Sequence, residues 1–285
     1  MGIAEEYNEL LKTRKKLNDD AWRYKLRAIW EHFKDMEDVA VNNLETAIPK
    51  VLGVYLAPHR RIHNSNMACW PVLDNKGNVY FEIYIDEDFY RENPHIVAIQ
   101  LIHELLHAVS GFKDNQQYFF GHTHDSGNMK EYIGIDEAIT QIFAEDIANE
   151  RLTKEEDYLY FIKNIMRIMK ILFGKEKLAN QYLNNYQEFE IEFNRITNYR
   201  FARLNKMINN IYVLSKKERY KTLTEEESSI LKTEKQAALI FTSHLTILLS
   251  RINSEKIINI KNELQDEEFF GLLDLETPKL GNMFR

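Results

Sequence analysis

The sequence predicts an α+β fold, with a small N-terminal antiparallel sheet, two apolar helices that carry a polar stripe, and a mostly helical C-terminal half. Three observations support this. Short segments rich in Val, Tyr and Ile, broken by turn residues, are confined to about Lys50–Asp86. On either side of them, apolar residues recur at spacings of three and four. The 285 residues, 44% hydrophobic and 12% aromatic, supply enough apolar surface for a packed core.

Taking the elements in order, residues 4 to 47 read as helical, with Trp22, Leu26, Ile29, Trp30 and Phe33 along one face and Pro49 closing the region. The segments "KVLGVYLAP" and "MACWPVLDNKGNVYFEIYID" read as strands, and "DNKGN" as the turn of a hairpin. Asn93 suits a helix cap and Pro94 the first helical turn of a helix over Pro94–Ser110, with Gly111 placed to end it in a left-handed residue. "YIGIDEAITQIFAEDI", Tyr132 to Ile147, reads as a second apolar helix. Beyond Glu150, long periodic segments are separated by Gly174 and by "TLTEEESS", where Thr224 and Glu227 stand at capping-box spacing. The expected division is an N-terminal helical segment (1–48), a core of sheet and apolar helices (49–150) and a helical C-terminal domain (151–285).

Composition narrows the function. A net charge of −7 and a pI of about 5.8 argue against a nucleic-acid surface, and "KTRKKL" and "SKKERYK" read as solvated helix faces. Cys69 is alone, so no intrachain disulfide is expected. The N-terminus has no apolar core of a signal peptide, and Glu6 stands where myristoylation requires Ser or Thr. No apolar run reaches the roughly 18 residues needed to span a bilayer. The expectation is a cytoplasmic chain with no membrane partner and an undefined oligomeric state; export without a signal would leave no trace.

The helix Pro94–Ser110 is apolar over most of its circumference, yet Gln100, His103, Glu104 and His107 fall at offsets of zero, three, four and seven, on one stripe. Burying such a stripe costs several kcal/mol unless the groups find partners, and a metal ion in a cleft would satisfy them. His103 and His107 lie one turn apart and can converge on one zinc. Glu104 is rotated by about 100°, out of the ligand set but within reach of a water at the metal. This is the H-E-x-x-H arrangement. The plainer reading makes the two histidines hydrogen-bonded core residues and Glu104 an exposed acid, but the helix offers no obvious solvent face for Glu104.

Catalytic zinc takes three protein ligands. Two sources for the third are open on the residues alone: Glu137, on the second apolar helix with Thr140 and Gln141 at offsets of three and four, and His122 or His124 in "GHTHD".

"HELLH" followed by "DEAIT" resembles the gluzincin class of zinc metallopeptidases, the thermolysin-like superfamily, over about Val79–Ala148. The resemblance implies a metallopeptidase-like core in which His103, His107 and Glu137 bind zinc, Glu104 is the general base, and a peptide or protein is the substrate. It also implies a Tyr or His donor to the oxyanion, for which Tyr132 is the first candidate and His122, His124 and His244 are others. In that family the strand before the zinc helix is an edge that pairs with an extended substrate, which here would be Val79–Ile85, with Tyr80 and Tyr84 able to face the cleft.

Several residues depart from the pattern. The family's acid four residues after the ligand glutamate is replaced by Gln141, which can accept an imidazole N–H but brings no charge. The interval from His107 to Glu137 is longer than in thermolysin, so "FKDNQQYFFGHTHDSGNMKEY" reads as an inserted loop. A site completed by His122 or His124, as in SprT-like proteins, stays open. The competing function is a non-catalytic zinc-binding or helical protein-interaction module, against which Glu104 speaks, since a structural site has no use for a base.

Overall fold

The computed structural model describes residues 3–36, 41–58, 66–114, 117–120, 123–125, 130–131, 133–183, 186–197, 200–250, 255–264 and 267–273. Helix α1 (Ile3–Thr13), the short strand β1 (Lys15–Lys16), α2 (Asp20–Phe33) and α3 (Val41–Ala47) lead through a 3-10 turn at Ile48–Lys50 into strands β2 (Val51–Ala57), β3 (Met67–Leu73) and β4 (Val79–Asp86). The sheet has the order β1-β2-β4-β3.

It is mixed, not antiparallel throughout as expected from sequence. β1 and β3 run antiparallel to their neighbours, but β2 and β4 pair in parallel, Val54 opposite Ile83 and Leu56 opposite Ile85. The reason lies in which strand is most apolar. β4 is buried along nearly its whole length, so it takes the interior place, and its hairpin partner β3 is left on the outside. The hairpin turn is held by Asp74, whose Oδ1 accepts from the amides of Lys76 and Asn78, both at 2.8 Å, while Gly77 supplies a φ of +80°.

Asp86 caps the short α4 (Glu87–Glu92), accepting from the Phe89 amide at 2.8 Å, and α5 (Pro94–Ser110) begins at the proline as expected. Gly111 already belongs to the next strand. The segment expected as a loop forms a second antiparallel sheet of short strands, β5 (Gly111–Asp114), β6 (Gln117–Phe120), β7 (Thr123–Asp125) and β8 (Lys130–Glu131), paired in sequence order. "QQYFF" has the β-favouring aromatic content for this, and each neighbour is one short turn away.

The rest is helical among the described residues: α6 (Ile133–Ala148), α7 (Tyr160–Phe173), α8 (Lys175–Leu183), α9 (Tyr186–Thr197), α10 (Phe201–Tyr220), α11 (Glu225–Ser250), α12 (Glu255–Leu264) and α13 (Glu267–Leu272). The expected capping box opens α11: Thr224 Oγ1 accepts from the Glu227 amide at 3.2 Å, and Glu227 Oε2 accepts from the Thr224 amide at 3.0 Å. No helix of the described residues is long and apolar enough to cross a membrane.

The core runs through the interfaces of α5 with α6 and the sheet, and of α6 with α7 and α10, where Ile99, Leu105, Ile139, Phe143, Ile165 and Ile208 are fully buried. α6 meets α10 closely because Gly134 has no side chain. A Cβ there would stand 2.8 Å from Ile208 Cγ2 and 3.0 Å from the Ile208 carbonyl oxygen. Gly134→Ala is therefore expected to cost about 1–3 kcal/mol, read as a lower midpoint in denaturant. An unchanged midpoint would mean that the two helices can separate without loss.

Behind α6 lies a buried ion network. Glu145 takes Lys163 on Oε1 and Arg167 on Oε2, each at 2.5 Å, with none of its side chain exposed. Lys163 also holds Asp157 at 2.7 Å, and Lys170 holds Asp146 at 3.1 Å. Arg167 and Lys170 both reach Glu263 on α12, at 2.8 and 2.6 Å.

Candidate metal centre

The polar stripe of α5 faces α6. His103 and His107, one turn apart, are buried, and their rings meet edge to face with centroids 4.7 Å apart. Glu137, just past the first turn of α6, closes the third side. The distances between donor atoms are 3.0 Å from His103 Nε2 to His107 Nε2, 3.3 Å from His103 Nε2 to Glu137 Oε2 and 3.8 Å from His107 Nε2 to Glu137 Oε1. A tetrahedral ion with bonds of about 2.0–2.1 Å spaces its ligands roughly 3.3 Å apart, so the three donors are already at the spacing such an ion needs. Among the described residues these three form the group of metal-ligating side chains that could share one ion.

The tautomer fits as well. His103 Nδ1 lies 3.0 Å from Gln141 Oε1, which can only accept, so Nδ1 carries a proton and Nε2 points into the cluster. Gln141 is held in that orientation from behind, since its Nε2 donates to Glu145 Oε1 at 3.4 Å. His107 Nδ1 is 3.6 Å from the buried Asp136 Oδ2. Thr140, expected to share the polar stripe of α6, turns away: its hydroxyl donates to the Asp136 carbonyl at 2.7 Å and meets the Tyr182 hydroxyl at 2.8 Å.

The charges around the cluster favour a proton on His103. Burial lowers the His103 imidazolium, but the Glu137 carboxylate, then Glu104 and Asp136, outweigh burial and raise it to about 9. Burial likewise opposes the Glu137 carboxylate, yet His103 and His107, with Lys216 on α10, bring it down to about 2. Two imidazole nitrogens and a carboxylate thus converge on a point that demands positive charge.

A metal must displace the His103 proton. Its apparent affinity should fall about tenfold for each pH unit below 9, and binding at pH 7.5 should release close to one proton. Calorimetry in buffers of differing ionisation enthalpy measures this, and heats independent of buffer would contradict the assigned proton.

Glu104 stands beside the cluster, not in it. Its Oε2 accepts the amide of Cys69 on β3 at 2.8 Å. Burial, and after it the Glu137 charge, raises its carboxyl to about 7, against the pull of His103, the Cys69 amide and Lys216. An acid with that poise can exchange a proton near neutrality. Burial and Glu104 also push the Cys69 thiol up, which keeps it neutral.

The site draws on residues the sequence reading did not single out. Tyr158 precedes α7 and Tyr212 lies on α10, with ring centroids 6.0 Å apart. Burial, with Glu137 next, raises both phenols, and Lys216 Nζ donates to the Tyr212 hydroxyl at 3.4 Å. Their distance along the chain from "HELLH" hid them. Asp136 was legible only as the neighbour of Glu137.

Other expectations fall elsewhere. Tyr132 and His122 lie outside the described residues, as does the side chain of His124, whose backbone is in β7. His244 is buried on α11, outside the ligand group. The strand Val79–Ile85 is β4, interior to the sheet, so the open edge beside α5 is β3. Tyr84 is fully buried, stacked on Tyr55 and bonded to Glu82 and Arg14, and does not face the cluster.

Comparison with protein-family models, with curated proteins and with solved structures finds no match to this chain.

Proposed function

We propose that this chain is a zinc-dependent peptidase of the gluzincin type, with His103, His107 and Glu137 as the metal ligands and Glu104 as the general base. The observation that carries the reading is the pairing of two things on α5: a ligand cluster completed from α6, and a half-buried acid beside it with its carboxyl at about 7. A purely structural metal site needs the first and not the second.

Zinc bound in the cluster would polarise the scissile carbonyl and acidify the attacking water. The chain's own groups do the rest. Glu104, held by the Cys69 amide, takes the water proton on a carboxylate oxygen and returns it to the leaving amine. A positive charge in the cluster lowers the Glu104 carboxyl further, so its basic form prevails at neutral pH.

β3, the terminal strand of the sheet beside α5, is where an extended peptide would add, in the place the sequence reading gave to β4, although its Cys69 amide is already given to Glu104. Pro71 on β3 has no amide to donate, which limits how far a substrate strand can pair toward Leu73. Tyr212, kept protonated by burial and by the carboxylates of Glu137, Glu104 and Asp136, is a candidate donor for a developing oxyanion.

Protein purified without chelator should carry about one zinc per chain by elemental analysis and should cleave members of an unbiased peptide library, with activity lost on chelation and restored by zinc. Metal well below one equivalent, with no zinc-dependent thermal shift, would remove the basis of the proposal. Full metal with no cleavage would favour the non-catalytic module.

A further inference from the structure

A cavity of about 320 Å³ lies between α7, α10, α11 and α13, with Tyr158 in its lining. Its walls are aromatic: Phe161 and Phe269 meet edge to face with centroids 5.5 Å apart, and Tyr158 and Tyr160 complete them. Two polar features do not belong to an ordinary packing void. Ser215, 6% exposed, has a buried hydroxyl with no hydrogen-bond partner among the described residues. Lys235, half-buried on α11, has its ammonium 5.7 Å from the Phe161 ring centroid, and among the described residues no carboxylate forms an ion pair with it.

Cationic side chains outnumber acidic ones in the lining of the cavity. Lys154 and Arg219 stand at the rim with Lys235, and Arg219 is pinned there by donating to the Glu155 carbonyl. Of the two acids in the lining, Asp157 is taken up by Lys163 at 2.7 Å and by the Leu159 amide at 2.8 Å. Glu218 alone remains, and it is exposed. Burial is the largest influence on the Lys235 ammonium and weakens it; Glu218 opposes this and Lys154 adds to it, so an anion entering the cavity relieves an existing cost.

We propose that this cavity binds a small carboxylic acid with an aromatic or branched apolar body, its carboxylate drawn to Lys235 and the Ser215 hydroxyl and its body lying on Phe161 and Phe269. A monoanion matches one half-buried ammonium, whereas the aromatic walls and Glu218 disfavour a dianion such as phosphate. Two sources carry this chemistry: a free acid, or the C-terminal residue of a peptide.

The test is calorimetric binding to the full chain, with 3-phenylpropionate and N-acetylphenylalanine as the acids and N-acetylphenylalanine amide as their uncharged counterpart. The acids should bind at least about tenfold more tightly than the amide, the scale of one charge-assisted hydrogen bond. Lys235→Met should remove that preference without altering amide binding, which also separates this cavity from any carboxylate held at the metal. Ser215→Val, which fills the space, should weaken all three probes. Tighter binding of N-acetylphenylalanine than of phenylpropionate assigns a peptide terminus, and the reverse a free acid. Equal binding of acid and amide, no binding of either acid at millimolar concentration, or an acid preference that survives Lys235→Met would overturn the proposal. No hydrolysis is measured, so the outcome is independent of the peptidase reading.

Discussion

Glu104→Gln is expected to slow peptide hydrolysis by about 10² or more while leaving zinc content unchanged. Glutamine has the same shape, and its Oε1 can still accept the Cys69 amide that now donates to Glu104 at 2.8 Å. What it cannot do is take a proton. The fold gives a second readout. Burial raises the Glu104 carboxyl from its ordinary value to about 7, so the ionised form is disfavoured in the folded chain. Its contribution to stability is most favourable below the unfolded pKa and is lost as the pH rises through about 7. At pH 8 the glutamine variant, stripped of metal, should therefore melt no lower than the parent. Equal hydrolysis in the two proteins would make Glu104 a bystander, and a variant that loses zinc would make it part of the metal site.

Glu137→Ala is the second large effect. Removing one of three protein ligands should lower zinc affinity by about 10²- to 10⁴-fold, a one-third share of the free energy of a structural zinc site. It also removes the main group holding the His103 proton, so the imidazolium, raised to about 9 in the parent, should fall. The two consequences separate a ligand from a merely neighbouring acid. His122→Ala and His124→Ala should change affinity little. A chelator competition in which either histidine variant abolishes binding while Glu137→Ala stays within a few-fold of the parent would transfer the third ligand to the "GHTHD" segment.

What could be read from the sequence was whatever depends on local spacing. The helix Pro94–Ser110 and the turn at Asp74–Asn78 follow from capping and turn chemistry within a few residues, and so does the Thr224–Glu227 box. The convergence of His103 and His107 needs only the 3.6-residue period, and Glu137 required the further assumption that α6 faces α5. The order of the sheet was not legible, because a strand's apolar content shows that it is buried without showing which neighbours bury it. Tyr158 and Tyr212 were hidden for the same reason: the turn before α7 and the helix α10 come near Glu137 by packing, and the packing is set by contacts such as Gly134 against Ile208. The segment 112–132 failed differently. Its polar, glycine-bounded text reads as loop, yet short aromatic strands pair within it.

The ions behind α6 bear on how the molecule opens. Glu145 steadies Gln141, and through it His103, while the two cations that hold Glu145 are bound up with Asp157 and with Glu263 on α12. None of these charges can be exposed singly without leaving its partners buried and uncompensated. The Glu145 end of α6, and with it the Gln141 that orients His103, therefore has no inexpensive local fluctuation of its own. It opens in concert with α7 and α12 as one cooperative unit, which places the metal centre at the slowly exchanging end of the molecule's range of opening motions and leaves breathing to elements outside that unit.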